Sequence, residues 1–174
     1  MLGLSSGRLW LGLFAVAGGV NAIGQSTCVA FTSSPSTFSV VNNRKAAPIL
    51  LSADEWPGVQ RAATDFATDI QRVTGVKPTL SNVTTSSVST AFKSSAPIIV
   101  GTLGKSSLID QVVNNTKLDV SSVQGQWEAF LAKEVSNPLP GIKSAYVIIG
   151  ADKRGTIFAL YDHSEQFGTF YLTL

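Results

Sequence analysis

The chain has 174 residues, a formal net charge of +2, one cysteine and one histidine. A near-neutral balance without a concentrated basic face gives no support to nucleic-acid binding. A single cysteine excludes an intramolecular disulfide, and one histidine with one cysteine argues against a zinc site, so the fold must stand on its apolar core.

Met1 to Arg8 carries one positive charge, Leu9 to Val20 is apolar, and Val20-Asn21-Ala22 offers small residues for cleavage. Residues 1–22 therefore read as a secretory signal peptide, because the apolar run falls short of the roughly 20 residues that span a bilayer. An uncleaved anchor is the alternative. After cleavage, roughly 150 residues remain, enough for one domain with a real core, secreted and with no membrane contact expected. Residues 23–36, which hold Cys28 as a free thiol, read as a flexible lead-in. Residues 37–168 read as the domain and 169–174 as a tail.

Phe38 to Val41 and Pro48 to Leu51 predict two strands joined by the polar turn Asn42-Asn43-Arg44-Lys45. Ser52-Ala53-Asp54-Glu55 has the spacing of a capping box. Val59, Ala62, Ala63, Phe66, Ile70 and Val73 then recur at helical spacing, predicting a helix from Glu55 to Thr74 that ends at Gly75. Ser81 to Ser95 reads as an exposed loop, Pro97 to Val100 as a buried strand, and Ser106 to Val113 as a short helix. Trp127 to Val135 predicts one or two helical turns, ended by Asn137-Pro138-Leu139-Pro140-Gly141. Ser144 to Ile149 predicts the final strand. Ile157, Leu160, Tyr161, Ser164 and Phe167 give the apolar face of a last helix. Strands alternating with helices predict an α/β fold with a mixed, mostly parallel sheet and helices packed on it.

Most of the chemistry-bearing patterns have plain readings. Gly101-Thr102-Leu103-Gly104-Lys105-Ser106 places only two residues between its glycines, too few to wrap a pyrophosphate, and reads as a strand-to-helix turn. Gly150 to Gly155 lacks the Gly-x-Gly start of a dinucleotide site. His163, between Asp162 and Ser164 on a helix, cannot form a relay with either and reads as a partly exposed side chain. Asp65 and Asp69 read as a solvated helix face beside Arg61 and Arg72. Trp56 and Trp127 fall in segments predicted helical and are assigned to core packing. No cofactor and no metal are expected. The sequons at Asn82 and Asn114 mark surface positions for glycosylation in an exported protein. Glycosidases need two carboxyl groups roughly 5 to 10 Å apart across the sugar, and no such pair is legible. Asp152, Lys153 and Arg154, in a turn at a sheet edge, stand out as a charged rim and are the substrate-proximal candidates.

Three stretches carry a resemblance. They are Ile49-Leu50-Leu51-Ser52 with the following helix to Thr74-Gly75, the strand and turn Ile98 to Gly104, and the closing segment Ala145 to Gly168. The last is the most specific, with Asp152-Lys153-Arg154-Gly155-Thr156-Ile157-Phe158, then Tyr161-Asp162 and Ser164-Glu165-Gln166. Together they resemble the N-terminal domain of glycoside hydrolase family 115, the xylan α-1,2-glucuronidases, over Phe38 to Gly168. A looser similarity extends to the domain before the barrel in family 20 and family 67 glycosidases. The resemblance implies an accessory domain in front of a (β/α)₈ barrel. A barrel takes about 250 residues and is expected to carry the acid and base. It also implies glucuronoxylan as substrate, the catalytic barrel as partner, and no catalytic residue in this chain. Thr169 to Leu174 departs from the family pattern, so the chain reads as truncated before the barrel and inactive alone. The competing expectation is an independent extracellular carbohydrate-binding or interaction module.

Overall fold

In the computed structural model, residues 29–32, 37–84, 92 and 96–168 are described. The predicted signal peptide, Cys28 and the Thr169–Leu174 tail lie outside these residues. A two-residue hairpin comes first, β1 (Val41–Asn42) with β2 (Lys45–Ala46). Its turn places both Asn43 and Arg44 at positive φ, 48° and 58°, which matches the right-handed twist of a tight hairpin. Then follow β3 (Ile49–Ser52), α1 (Pro57–Thr74), β4 (Leu80–Val83), β5 (Ile98–Thr102) and α2 (Ser107–Thr116). The chain closes with β6 (Phe130–Leu139), β7 (Ile142–Gly150) and α3 (Lys153–Gln166).

Five strands form one sheet in the order β4-β3-β5-β7-β6, parallel except for β6 at one edge. The period of two along each strand divides the apolar residues between its faces. Ile49, Leu51, Ile98, Val100 and Ile148 meet Val59, Ala62, Ala63, Phe66 and Ile70 of α1 with Ala159 and Leu160 of α3. Leu50, Ile99, Val147 and Ile149 meet Leu108, Ile109 and Val112 of α2 on the opposite face. The molecule is an α/β fold with a mixed, mostly parallel sheet between one helix and two.

Several local expectations need correction, and the first is the exposed loop expected from Ser81: Ser81 to Val83 belong to β4, where pairing with β3 holds them and buries Val83. The segment expected to be helical near Trp127 to Val135 is the start of β6, where pairing with β7 from Phe130↔Gly150 to Leu139↔Ile142 overrides the local pattern. Pro138 is tolerated there because an edge strand needs no outward amide, and the register shifts between Ser136 and Leu139 with Asn137 at φ 50°. The apolar face of α3 includes His163 and Ser164, while Tyr161 is turned outward and its hydroxyl reaches Asp65 Oδ2 on α1 at 3.0 Å. Asp69 is not on a solvated face: its side chain is fully buried and accepts from Arg72 at 2.9 Å.

His163 is also buried, not partly exposed. Its Nδ1 faces the Ala159 carbonyl at 2.7 Å and Nε2 the Tyr146 hydroxyl at 3.0 Å. A carbonyl only accepts, so Nδ1 carries the proton and the Tyr146 hydroxyl donates to Nε2. Rings of Phe66, Phe130 and Tyr146 surround it with centroids 5.7 to 6.4 Å away. Burial among them pushes its pKa below the usual histidine range.

Candidate functional site

Three parallel strands end side by side at one edge, in Ser52 of β3, Thr102 of β5 and Gly150 of β7. The antiparallel β6 begins there at Phe130. From this edge α1 leaves over one face of the sheet and α2 over the other. The β3–α1 and β5–α2 turns therefore part, which is the switch-point arrangement that opens a crevice at the carboxyl ends of an α/β sheet.

Glu55 holds the two turns together. It is 3% exposed, and its Oε1 accepts the Trp56 amide at 2.9 Å while its Oε2 accepts the Thr102 amide at 2.8 Å. The Thr102 hydroxyl adds a bond to Oε1 at 3.1 Å and lies 2.8 Å from the Thr156 hydroxyl. The Glu55 carboxylate and the Asp152 carbonyl, 3.0 Å from the Thr156 hydroxyl, can only accept, so the two hydroxyls share their protons among Glu55, Asp152 and each other. The Ser52 and Ser107 hydroxyls, 2.9 Å apart, bridge the same two turns nearer the surface.

The capping-box expectation fails here for a definite reason. Pro57 opens α1 and Trp56 is its N-cap without a side-chain bond, so Glu55 precedes the helix and cannot reach back as a third helical residue. It serves the sheet edge instead. Asp54 beside it is exposed, and the hydroxyl of Ser52, with further help from Ser107, holds its carboxyl below the usual range.

Trp56 is 42% exposed, against the expectation of core packing, and the Lys105 ammonium stands 4.9 Å from its ring centroid. That is a cation–π contact on a surface ring. Trp127 is exposed further, to 84%. Sequence reasoning placed both in helices, where an aromatic defaults to the core; in fact each lies in a segment at the carboxyl edge.

The β7–α3 turn holds the residues the sequence singled out. Asp152 caps α3, accepting the Gly155 amide at 2.7 Å, and also accepts the Glu128 amide at 3.1 Å. The Gly155 bond, ahead of the Glu128 one, holds its carboxyl below the usual range. Arg154 pairs with Glu128 at 2.9 Å, and Lys153 is exposed. Gly150 is required here, because a Cβ would run into the backbone nitrogen and hydroxyl of Thr156. The exposed Asn82 and Asn114 stand on β4 and α2. Among the described residues no group of three histidine, cysteine or acidic side chains is placed to hold a metal, and no helix is long and apolar enough to cross a membrane.

A cavity of about 620 Å³ lies away from this edge, beneath residues 29–43 and the C-terminal ends of α1 and α3. Phe38, Ile70, Val73, Tyr146, His163 and Phe167 line it, and Glu134 brings the sole acidic group. Phe38 stacks on Tyr146 at 5.5 Å and Phe167 on Phe66 at 5.7 Å. Phe167 thus serves the interior and is not part of an exposed apolar surface. The cavity faces the amino ends of the strands, the opposite side from where such sheets bind ligands, so the carboxyl edge is the stronger candidate.

The fold and its edge define an α/β domain with a mixed, mostly parallel five-stranded sheet and helices on both faces. No family profile matches the chain and no curated relative matches it by sequence. Among solved structures, it is similar to a family 115 4-O-methyl-α-glucuronidase with specificity for decorated arabinogalactans, at a TM-score of 0.52 and 22% identity. The match covers 71% of this chain and 14% of that one, so this chain spans a small part of that protein's length. The likeness is one of fold.

Proposed function

We propose that this chain is a non-catalytic accessory domain of a secreted α-glucuronidase-type glycoside hydrolase acting on glucuronoxylan. One observation carries the reading: the three sequence stretches that resemble family 115 fall on β3–α1, β5 and β7–α3, the elements that build the carboxyl edge. The family 115 structure matches this chain at the level of the fold over 71% of its length. The chemistry of the edge agrees. Glu55 is buried and fully engaged and Asp152 is a helix cap, so neither is placed as a proton donor or nucleophile for a glycosidic bond. Residues 1–22 are its export signal, and Asn82 and Asn114, both exposed, are its glycosylation positions.

A second reading, an independent carbohydrate-binding module, is favoured by the two exposed tryptophans at the carboxyl edge. Incubation with aldouronic acids tests the first, with uronic acid release followed over hours. No release is expected, and turnover above background would overturn the non-catalytic role. Slower migration through a gel containing glucuronoxylan is the added behaviour that the module reading requires.

A further inference from the structure

The cavity at the amino ends of the strands lies apart from the carboxyl edge. Its volume, about 620 Å³, is that of a small-molecule site. Its wall is tied to the core. Phe38 stacks on Tyr146 at 5.5 Å, Val40 and Val41 pack against the α1 and α3 side of the sheet, and the Ala47 amide donates to the Val40 carbonyl at 2.8 Å. Ile70 and Phe167 add carbon surface. His163 spends both ring nitrogens on Ala159 and Tyr146, and burial favours its neutral form, so it serves as wall and not as base. Among the described residues no lysine or arginine lines the cavity, and Glu134 is its one carboxylate. Sheet register sets Glu134 opposite Tyr146, which puts the two side chains on one face with Cβ atoms roughly 5 Å apart. Glu134 is exposed and so stands at the rim; the Ser144 hydroxyl donates to its Oε1, and no cation among the described residues pairs with it.

We infer that this cavity binds a small organic cation, a protonated amine carried on an apolar body about the size of an aromatic ring. The body displaces water from Phe38, Ile70 and Phe167, and the ammonium meets the Glu134 carboxylate at the rim. An organic anion finds no cation there and meets Glu134 as a like charge. A neutral sugar would give up water from hydroxyls that carbon walls cannot satisfy. Such a site is independent of the carbohydrate reading and of the residues at the carboxyl edge.

His163 is the only histidine of the chain, so its ring proton signals in the untagged protein report on this cavity alone. The test is a titration at neutral pH with phenethylamine, phenethyl alcohol, phenylacetate and D-glucose. Phenethylamine is expected to shift the His163 signals saturably and to bind about fivefold more tightly than the alcohol, the scale of one exposed ion pair. Phenylacetate and glucose should leave the signals in place. Glu134→Gln, at an exposed position of the edge strand, should bring amine and alcohol to equal affinity. Asp54→Asn, at the opposite edge of the sheet, should leave the preference intact. Unmoved His163 signals with the amine, a preference that survives Glu134→Gln, or an equal response to phenylacetate or glucose would each overturn the site. Signals that move with protein concentration alone would overturn it too, and would make the cavity a contact between two copies of the chain.

Discussion

The β5–α2 and β7–α3 turns leave the same edge of the same sheet, yet they treat charge in opposite ways. In β7–α3 the charges close on themselves, with Asp152 on two amides and Arg154 on Glu128. In β5–α2 a carboxylate from outside the turn, Glu55, takes the Thr102 amide alongside the helix's own Asp110 on Gly104, and Lys105 is left against a surface ring. A turn whose own acid caps its helix has little left to offer a ligand. One anchored from a neighbouring turn keeps its polar groups at the surface.

The sharpest way to break this contrast is to remove the anchor. Glu55→Ala leaves the buried Thr102 amide without its acceptor and takes that of the Trp56 amide as well, and a loss of roughly 3 kcal/mol is expected. In thermal unfolding that is a fall of about 6 to 12 °C, and Glu55→Gln should lose less. Gly150→Ala comes next, at about 2 kcal/mol, since its Cβ meets backbone of Thr156 that cannot swing aside; denaturant midpoints measure it. Asp152→Ala should cost about 1 kcal/mol through the lost cap. The sign with pH follows from its depressed folded pKa. The stabilisation is present above the unfolded carboxylate value near about 3.9 and is lost as pH falls through the folded value. Wild type and Asp152→Ala should therefore converge in stability in acid. Arg154→Ala is the smallest, under about 0.5 kcal/mol, because the pair with Glu128 is largely solvent-screened; unfolding curves that superpose are the expected result.

Much of the scaffold was legible. The period-3.6 stripe from Val59 to Ile70, the αL Gly75 and the strand-ending Gly150 each record a local physical demand, and the structure meets it, while Gly101 lies inside β5, which runs on to Thr102. What failed depended on distant partners. No local pattern shows that Phe130 to Leu139 pairs with β7, or that the side of α1 carrying Asp69 is buried. The anchor had left a trace. Pro57 favours the first helical position, so Glu55, two residues earlier, had to lie outside the helix and find another use for its carboxylate. Trp56 was misplaced for the same reason, since a residue that caps a helix at a sheet edge is not on the helix's apolar face. The charges of Asp152 and Arg154 were visible in sequence, but their engagement was not, because Glu128 sits on the far side of β6 and β7 in the chain.

The most direct measurement is affinity electrophoresis in glucuronoxylan of three proteins side by side: wild type, Trp56→Ala and Arg154→Ala. The module reading, with its exposed Trp56 at the carboxyl edge, predicts that wild type and Arg154→Ala are retarded alike and that Trp56→Ala runs free, whereas a domain that acts only beside a barrel predicts that all three run free. Retardation that survives Trp56→Ala and disappears in Arg154→Ala would contradict both, and would place the contact on the closed turn instead.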